Sequence, residues 1–200
     1  MEKINELRDE VFKIAVAHGW HEKKLTDQHY LMLIICELAE AIEADRKDFH
    51  AAVKEFKDNI DGALRELHLF GNKFEKFHKD AFETFIKDSV EDELADVVIR
   101  CLDLAGLLNL DMELDFCKDW DTYRGIRKEE YFKDKPLTIF AYDLIVEMRL
   151  SYRDVNRWIL IYVIELIDAY CKYHGIDLEW HVKEKVKYNR GREYKHGKKY

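Results

Sequence analysis

A single proline, Pro136, and eight thinly spread glycines leave this chain almost without helix breakers. Proline removes a backbone donor and glycine costs conformational entropy, so their scarcity lets helices run long. Apolar residues recur at helical spacing over nearly the whole length. Ile4, Leu7, Val11 and Ile14 define one stripe, Leu31, Ile34, Leu38 and Ala41 another, and Leu94, Val97, Val98 and Leu102 a third. Nothing alternates at period two for long enough to make a strand. The expected fold is all-α, a multi-helix bundle forming one domain over 1–200, and 48% hydrophobic content is ample for its core.

Boundary signals divide the bundle. The first helix is expected from about Ile4 to Ala17, stopping at Gly19, and Thr26 caps a second that runs to about Arg46. A polar amphipathic section covers about 48–87. Ser89, with Asp92 or Glu93 behind it, resembles a capping box for a helix ending near Leu108 and Asn109. The segment 117–136 reads as a linker, followed by helices over about 137–150, 154–173 and 178–189. An internal echo aligns 98–113 with 163–179 across one inserted residue. It puts Trp158 opposite Glu93 and Ile161 opposite Asp96, as in a duplicated, pseudo-dimeric bundle. On that reading a catalytic half (about 1–116) and a basic end (183–200) flank a degenerate repeat (about 137–182).

Two short stretches resist a purely structural reading. "CELAEA" carries Glu37 and Glu40, and "DELADV" carries Glu93 and Asp96, each pair three residues apart within an apolar run. Residues at that spacing share a helix face, so side-by-side packing brings four carboxylates together. Such a cluster repels itself and raises its own pKa values unless a cation neutralises it. All-oxygen ligands select Mg²⁺ or Mn²⁺ over zinc. Arg100, one turn beyond Asp96, is placed to orient that carboxylate. The bland alternative for each motif is a solvated helix face.

At these residues the chain resembles the all-α nucleoside triphosphate pyrophosphohydrolases, the MazG-like enzymes and their dimeric dUTPase relatives. The flanks agree: "HGWHEKK" before the first pair, "ELAEAIEADRK" through it, "SVEDELADVVIRCLDLAG" across the second, and "KVKYNRGREYKHGKKY" at the end. Two departures stand out. Cys36 occupies a position where the family often has a further glutamate, and 52 residues separate Glu40 from Glu93. The 48–87 insert is therefore expected to form an arm over the site.

The resemblance implies a Mg²⁺-dependent enzyme, with Mn²⁺ as a substitute. It would cleave a nucleoside triphosphate between the α- and β-phosphates into a monophosphate and pyrophosphate. Glu37, Glu40, Glu93 and Asp96 would hold the metal, with Glu37 or Glu40 as the base. Lys185, Asn189 and Arg192 fall at i, i+4 and i+7 and would bind the nucleotide, with Lys195 a further phosphate contact. Trp20, lifted by the turn at Gly19, offers a face on which a base can stack, with core packing as its alternative. His18 and His21 have HxxH spacing but no third nitrogen or sulfur ligand to argue for zinc.

Charge and composition bound the rest. The total is −8, but Lys183–Tyr200 carries +6 and the remainder −14. An acidic body with a basic end is unlike a nucleic-acid binder. Cys36, Cys101, Cys117 and Cys171 are widely spaced and read as reduced core cysteines. The opening "MEKINELRDE" is charged from its second residue, and "WILIYVIELIDAY" is too short and too charged to span a bilayer. The expectation is a cytoplasmic protein without membrane or nucleic-acid partners. A homodimer is compatible with it, though a fused duplication lessens the need for one. Two rivals remain: a non-catalytic nucleotide-binding or scaffold bundle, and a di-iron carboxylate protein, for which only Glu75 and His78 supply an ExxH motif.

Overall fold

The computed structural model describes residues 3–65, 71–113, 129–150 and 157–197, and among these every regular element is helical. The elements are α1 (Ile4–Ala17), α2 (Asp27–Arg46), α3 (Val53–Arg65), α4 (Asn72–Phe85), α5 (Val90–Leu107), α6 (Glu129–Phe132), α7 (Leu137–Leu150), α8 (Arg157–Tyr173) and α9 (Leu178–Arg190), with a closing 3₁₀ turn at Tyr194–Gly197. They form a multi-helix bundle. Most of the segment read as a linker, including Cys117, lies outside the described residues; its far end holds α6 and then Pro136, which leads into α7. No helix among the described residues is long and apolar enough to cross a membrane.

α5 is the central element. It packs against α1, α2, α8 and α9, and Leu94, Ala95, Val97, Val98, Cys101, Leu102, Leu104 and Ala105 are all fully buried. A helix apolar on so much of its circumference must sit inside a bundle. The contact with α1 is close: a Cβ at Gly106 would lie 2.5 Å from Phe12 Cβ. Gly106→Ala is therefore expected to cost about 1–3 kcal/mol by overpacking, read from the midpoint of urea unfolding.

The two helices of the echo between 98–113 and 163–179 end alike, as do α1, α2 and α4, which close with bonds from Trp20 N–H to Ala15 C=O, Phe49 N–H to Ala44 C=O and Lys87 N–H to Phe82 C=O. α5 and α8 lie against each other, and each is closed by a backbone bond spanning five residues. Leu110 N–H donates to Ala105 C=O at 2.9 Å, and Ile176 N–H to Cys171 C=O at 2.8 Å. Ile161, opposite Asp96 in that alignment, is buried in the apolar core.

Within the 48–87 insert, α3 and α4 pack against each other as the two arms of a hairpin. They build a second, smaller core in which Phe56, Ala81, Phe82 and Ile86 pack against Tyr188 of α9, with Phe82 stacked on Tyr188 at 4.6 Å between centroids. The hairpin thus docks on α9, and the residues that follow it, Lys87 and Asp88, reach the cleft described next.

Candidate active site

The N-terminus of α5 is tied down before any site chemistry begins. Ser89 Oγ accepts the Asp92 N–H at 3.2 Å, as a cap should. The return bond of the expected capping box lands one residue earlier, with Asp92 Oδ2 accepting from Asp88 N–H at 3.0 Å. That happens because Asp88 turns back at φ 63°. Aspartate tolerates this left-handed region at about 1 kcal/mol.

Above this turn lies a cleft of about 270 Å³ between α1, α2, α5 and α9. Glu37 of α2 and Glu93 and Asp96 of α5 each bring a carboxylate oxygen to within 4.8 Å of the others. Glu40 lines the same cleft but is exposed and stands outside that close group. Three of the expected four carboxylates therefore meet, and the fourth faces them from the rim. A second close group, Asp88, Asp92 and Glu93, shares Glu93 with the first. Asp92 is 1% exposed, and its Oδ1 is buried without a hydrogen-bond partner.

The electrostatics follow from this crowding. Burial, reinforced by Asp96, pushes Glu93 up to about 9. Burial and then Asp96 also raise Glu37, against the opposing pull of Arg100. Burial lifts Asp92 to about 6 although Lys185 pulls it down. For Lys185 burial works downward, but Asp96 and Asp92 outweigh it and hold the ammonium above its ordinary value. All donors in both groups are carboxylate oxygens, and one buried oxygen is unsatisfied. That donor set suits a hard divalent cation.

The cationic side chains sit differently from one another. Lys185 is 4% exposed and lies between two aspartates, 2.6 Å from Asp92 Oδ2 and 2.8 Å from Asp96 Oδ2. It is an internal counter-charge that fixes α9 to α5. Arg100 was expected to orient Asp96; its Nε instead donates to Glu37 Oε1 at 2.8 Å, across the seam between α5 and α2. Asn189 and Arg192 both line the cleft. α9 ends at Arg190, yet a turn bond from Arg192 N–H to Asn189 C=O at 3.2 Å keeps Arg192 on the same side. Its guanidinium lies 5.6 Å from the Tyr188 ring.

Trp20 lines the cleft with Val11, Ile14 and Ala15. Lys195 does not; its ammonium is paired with Glu22 at 2.5 Å. The 3₁₀ turn that carries it docks on the loop after α1. Lys195 N–H donates to His18 C=O at 3.2 Å, and a His18 ring nitrogen lies 2.8 Å from Arg192 C=O. Gly19 permits this docking: it has φ 79°, and a Cβ there would come within 2.6 Å of the Tyr194 ring. His78 of the ExxH motif lies apart from the carboxylates and pairs with Glu184 at 2.7 Å.

Several residues of the cleft escaped the sequence reading. Asp92 was read only as a cap, yet it is one helical turn before Asp96 and shares its face. Asp103, seven residues beyond Asp96, lines the cleft and accepts from His21 Nε2 at 2.7 Å; the helical period was the available signal. Lys87 and Asp88 arrive from a turn, where no periodicity could have flagged them. Compared with protein-family models, with curated proteins and with solved structures, the chain finds no match.

Proposed function

We propose that this protein is a cytoplasmic, Mg²⁺-dependent nucleoside triphosphate pyrophosphohydrolase of the MazG-like all-α class. It releases a nucleoside monophosphate and pyrophosphate. One observation carries the reading: carboxylates of Glu37, Glu93 and Asp96, from two helices, meet at a cleft whose other wall bears Asn189 and Arg192. Arg100 offsets Glu37 and Lys185 offsets Asp96, but Glu93 stands among them raised by burial and by its acidic neighbours, and such a crowded set suits a divalent cation. Cationic and amide groups opposite them suit an anionic, hydrogen-bonding ligand.

Glu37, Glu93 and Asp96 would hold Mg²⁺, or Mn²⁺ in its place, with Asp88 and Asp92 completing a second position beside Glu93. Bound there, the ion neutralises phosphate charge and makes a coordinated water more acidic. Glu37 is committed to Arg100 through one oxygen, whereas Glu40 is exposed at the rim. Glu40 is therefore the better base, able to take a proton from water as it attacks the α-phosphorus. Arg192 would grip phosphate with its planar fork, and Asn189, with both donor and acceptor, a sugar or base edge. Lys185 serves the reaction indirectly, by holding Asp92 and Asp96 in place.

The test is pyrophosphate release from a panel of ribo- and deoxyribonucleoside triphosphates, with Mg²⁺ and with EDTA. The expected result is metal-dependent release that falls at least about a hundredfold in Glu40→Gln. Silence across the panel from folded protein would overturn it. A non-catalytic nucleotide-binding bundle has one observation in its favour, since Lys185 already neutralises part of the cage from within. It predicts nucleotide binding with no turnover.

A further inference from the structure

The cleft has a second end, and its chemistry differs from that of the carboxylate cage. α5 presents Asp96, Arg100 and Asp103 along one side, and all three line the cleft. Asp103 lies seven residues beyond Asp96, a rise of about 10 Å along the helix. That is comparable with the span from the α-phosphate to the far edge of the base in a nucleotide. The walls near α1 are apolar: Val11, Ile14 and Ala15 face the cleft with Ile99 of α5 and with Trp20. A flat aromatic ring suits such surfaces, and Asp103 lines the same cleft within the field of Arg100, one turn earlier on α5.

Asp103 is held from behind by two further side chains. Its side chain is 9% exposed, and His21 Nε2 lies 2.7 Å from its Oδ1. A carboxylate only accepts, so His21 carries its proton on Nε2 and donates. His21 Nδ1 lies 3.3 Å from the Tyr30 hydroxyl. Burial and then Asp103 raise the Tyr30 pKa, which keeps that hydroxyl a donor. The ring of Phe12, 5.0 Å from that of His21, fixes the imidazole from another side. The chain Tyr30–His21–Asp103 therefore fixes a nearly buried hydrogen-bond acceptor in the wall of a cleft that Val11, Ile14 and Trp20 also line.

We propose that Asp103 determines base specificity, selecting nucleotides whose base carries an exocyclic amino group over those with a carbonyl at the same position. An amino group donates to a carboxylate, whereas a carbonyl oxygen in its place leaves two acceptors facing each other in a poorly solvated site. Cytosine and adenine are favoured over uracil and hypoxanthine. The assignment rests on the nucleotide reading given above and narrows it. His21 and Tyr30 are positioning residues that act through Asp103.

The experiment alters the ligand before it alters the protein. Wild-type kcat/KM is measured for CTP against UTP and against the pyrimidinone triphosphate lacking the 4-amino group. The same is done for ATP against ITP, with the deoxy forms in parallel. The expected preference for the amino-bearing member is about tenfold or more in each pair, because losing the donor strands a buried acceptor. Asp103→Asn, whose amide donates as well as accepts, is expected to shrink both ratios towards one. His21→Gln should narrow them less, and ratios untouched by it would deny His21 its positioning role. Equal turnover of the paired bases, or discrimination confined to ribose against deoxyribose, would overturn the assignment while leaving the hydrolase reading intact. Calorimetric binding of CMP and UMP with Mg²⁺ separates the opposite case. No turnover, with CMP bound at least about tenfold more tightly, would sink the hydrolase and keep the specificity.

Discussion

Glu91 and Glu93 stand two residues apart in the first turn of α5, both buried, and their surroundings could hardly differ more. Glu91 faces the hairpin side. Its Oε1 meets His50 Nδ1 at 2.9 Å, and its Oε2 accepts the Ala51 N–H at 2.8 Å. Nearby on the same side, Glu184 is held by His78 and Lys187 at 2.7 and 2.6 Å. Glu93 faces the cleft, where burial and then Asp96, Asp92 and Glu37 raise its pKa against the opposing charge of Lys185. A buried carboxylate given its own donors is a structural joint. One surrounded by other carboxylates is stable only when protonated or when a cation arrives from outside.

That contrast can be broken at either end. The largest expected effect on stability is at the charge that serves both helices. Lys185→Met removes the counter-charge of buried Asp92 and half-buried Asp96 and should cost about 3–5 kcal/mol in metal-free urea unfolding. Divalent cation should recover part of the loss, and a loss that Mg²⁺ leaves unchanged would argue against a cation site beside it. On the hairpin side, Glu91→Ala strands the Ala51 N–H and the His50 ring and should cost about 2–3 kcal/mol, with no response to Mg²⁺.

Glu93→Gln sharpens the comparison through pH. The folded pKa of Glu93 is about 9, against an ordinary value of 4.5. Its protonated form is therefore favoured by folding, and the associated stability is fully present below 4.5 and lost as pH rises through 9. Asp92, raised to about 6, makes most of its change below pH 6.5 and adds only about 0.2 kcal/mol above it. Without metal, the wild type should lose about 3 kcal/mol relative to Glu93→Gln between pH 6.5 and 9. Parallel stability curves over that interval would refute the crowded-carboxylate account of Glu93.

The fold was legible because its signals are local. Thr26 and Ser89 accept from the N–H groups three residues on, as caps should. α1 and α2 span the residues their apolar spacing predicted, and the near absence of proline left nothing to interrupt them. The cage was legible in its spacing, since Glu37, Glu93 and Asp96 were all chosen from sequence. What spacing could not supply was the pairing. Lys185 reads from the sequence as a nucleotide contact, and only the packing of α9 on α5 shows it as a buried counter-charge to Asp92 and Asp96. Arg100 bonds across to α2 and not back along its own helix, because Glu37 presents an oxygen at the seam. Asp103 and His21 lie 82 residues apart, so their contact exists only after α1 and α5 have packed.

The central claim is that the cleft carboxylates form a divalent-cation site from which Glu93 must lose its proton. It is tested most directly by calorimetric titration of Mn²⁺ into metal-free protein at pH 7, repeated in buffers of different ionisation enthalpy. The account predicts binding with release of about one proton. Glu93→Gln should abolish the proton release and weaken binding, Asp96→Asn should abolish binding, and Glu91→Gln should leave both unchanged. No binding by the wild type, or binding of equal strength in Asp96→Asn, would contradict it.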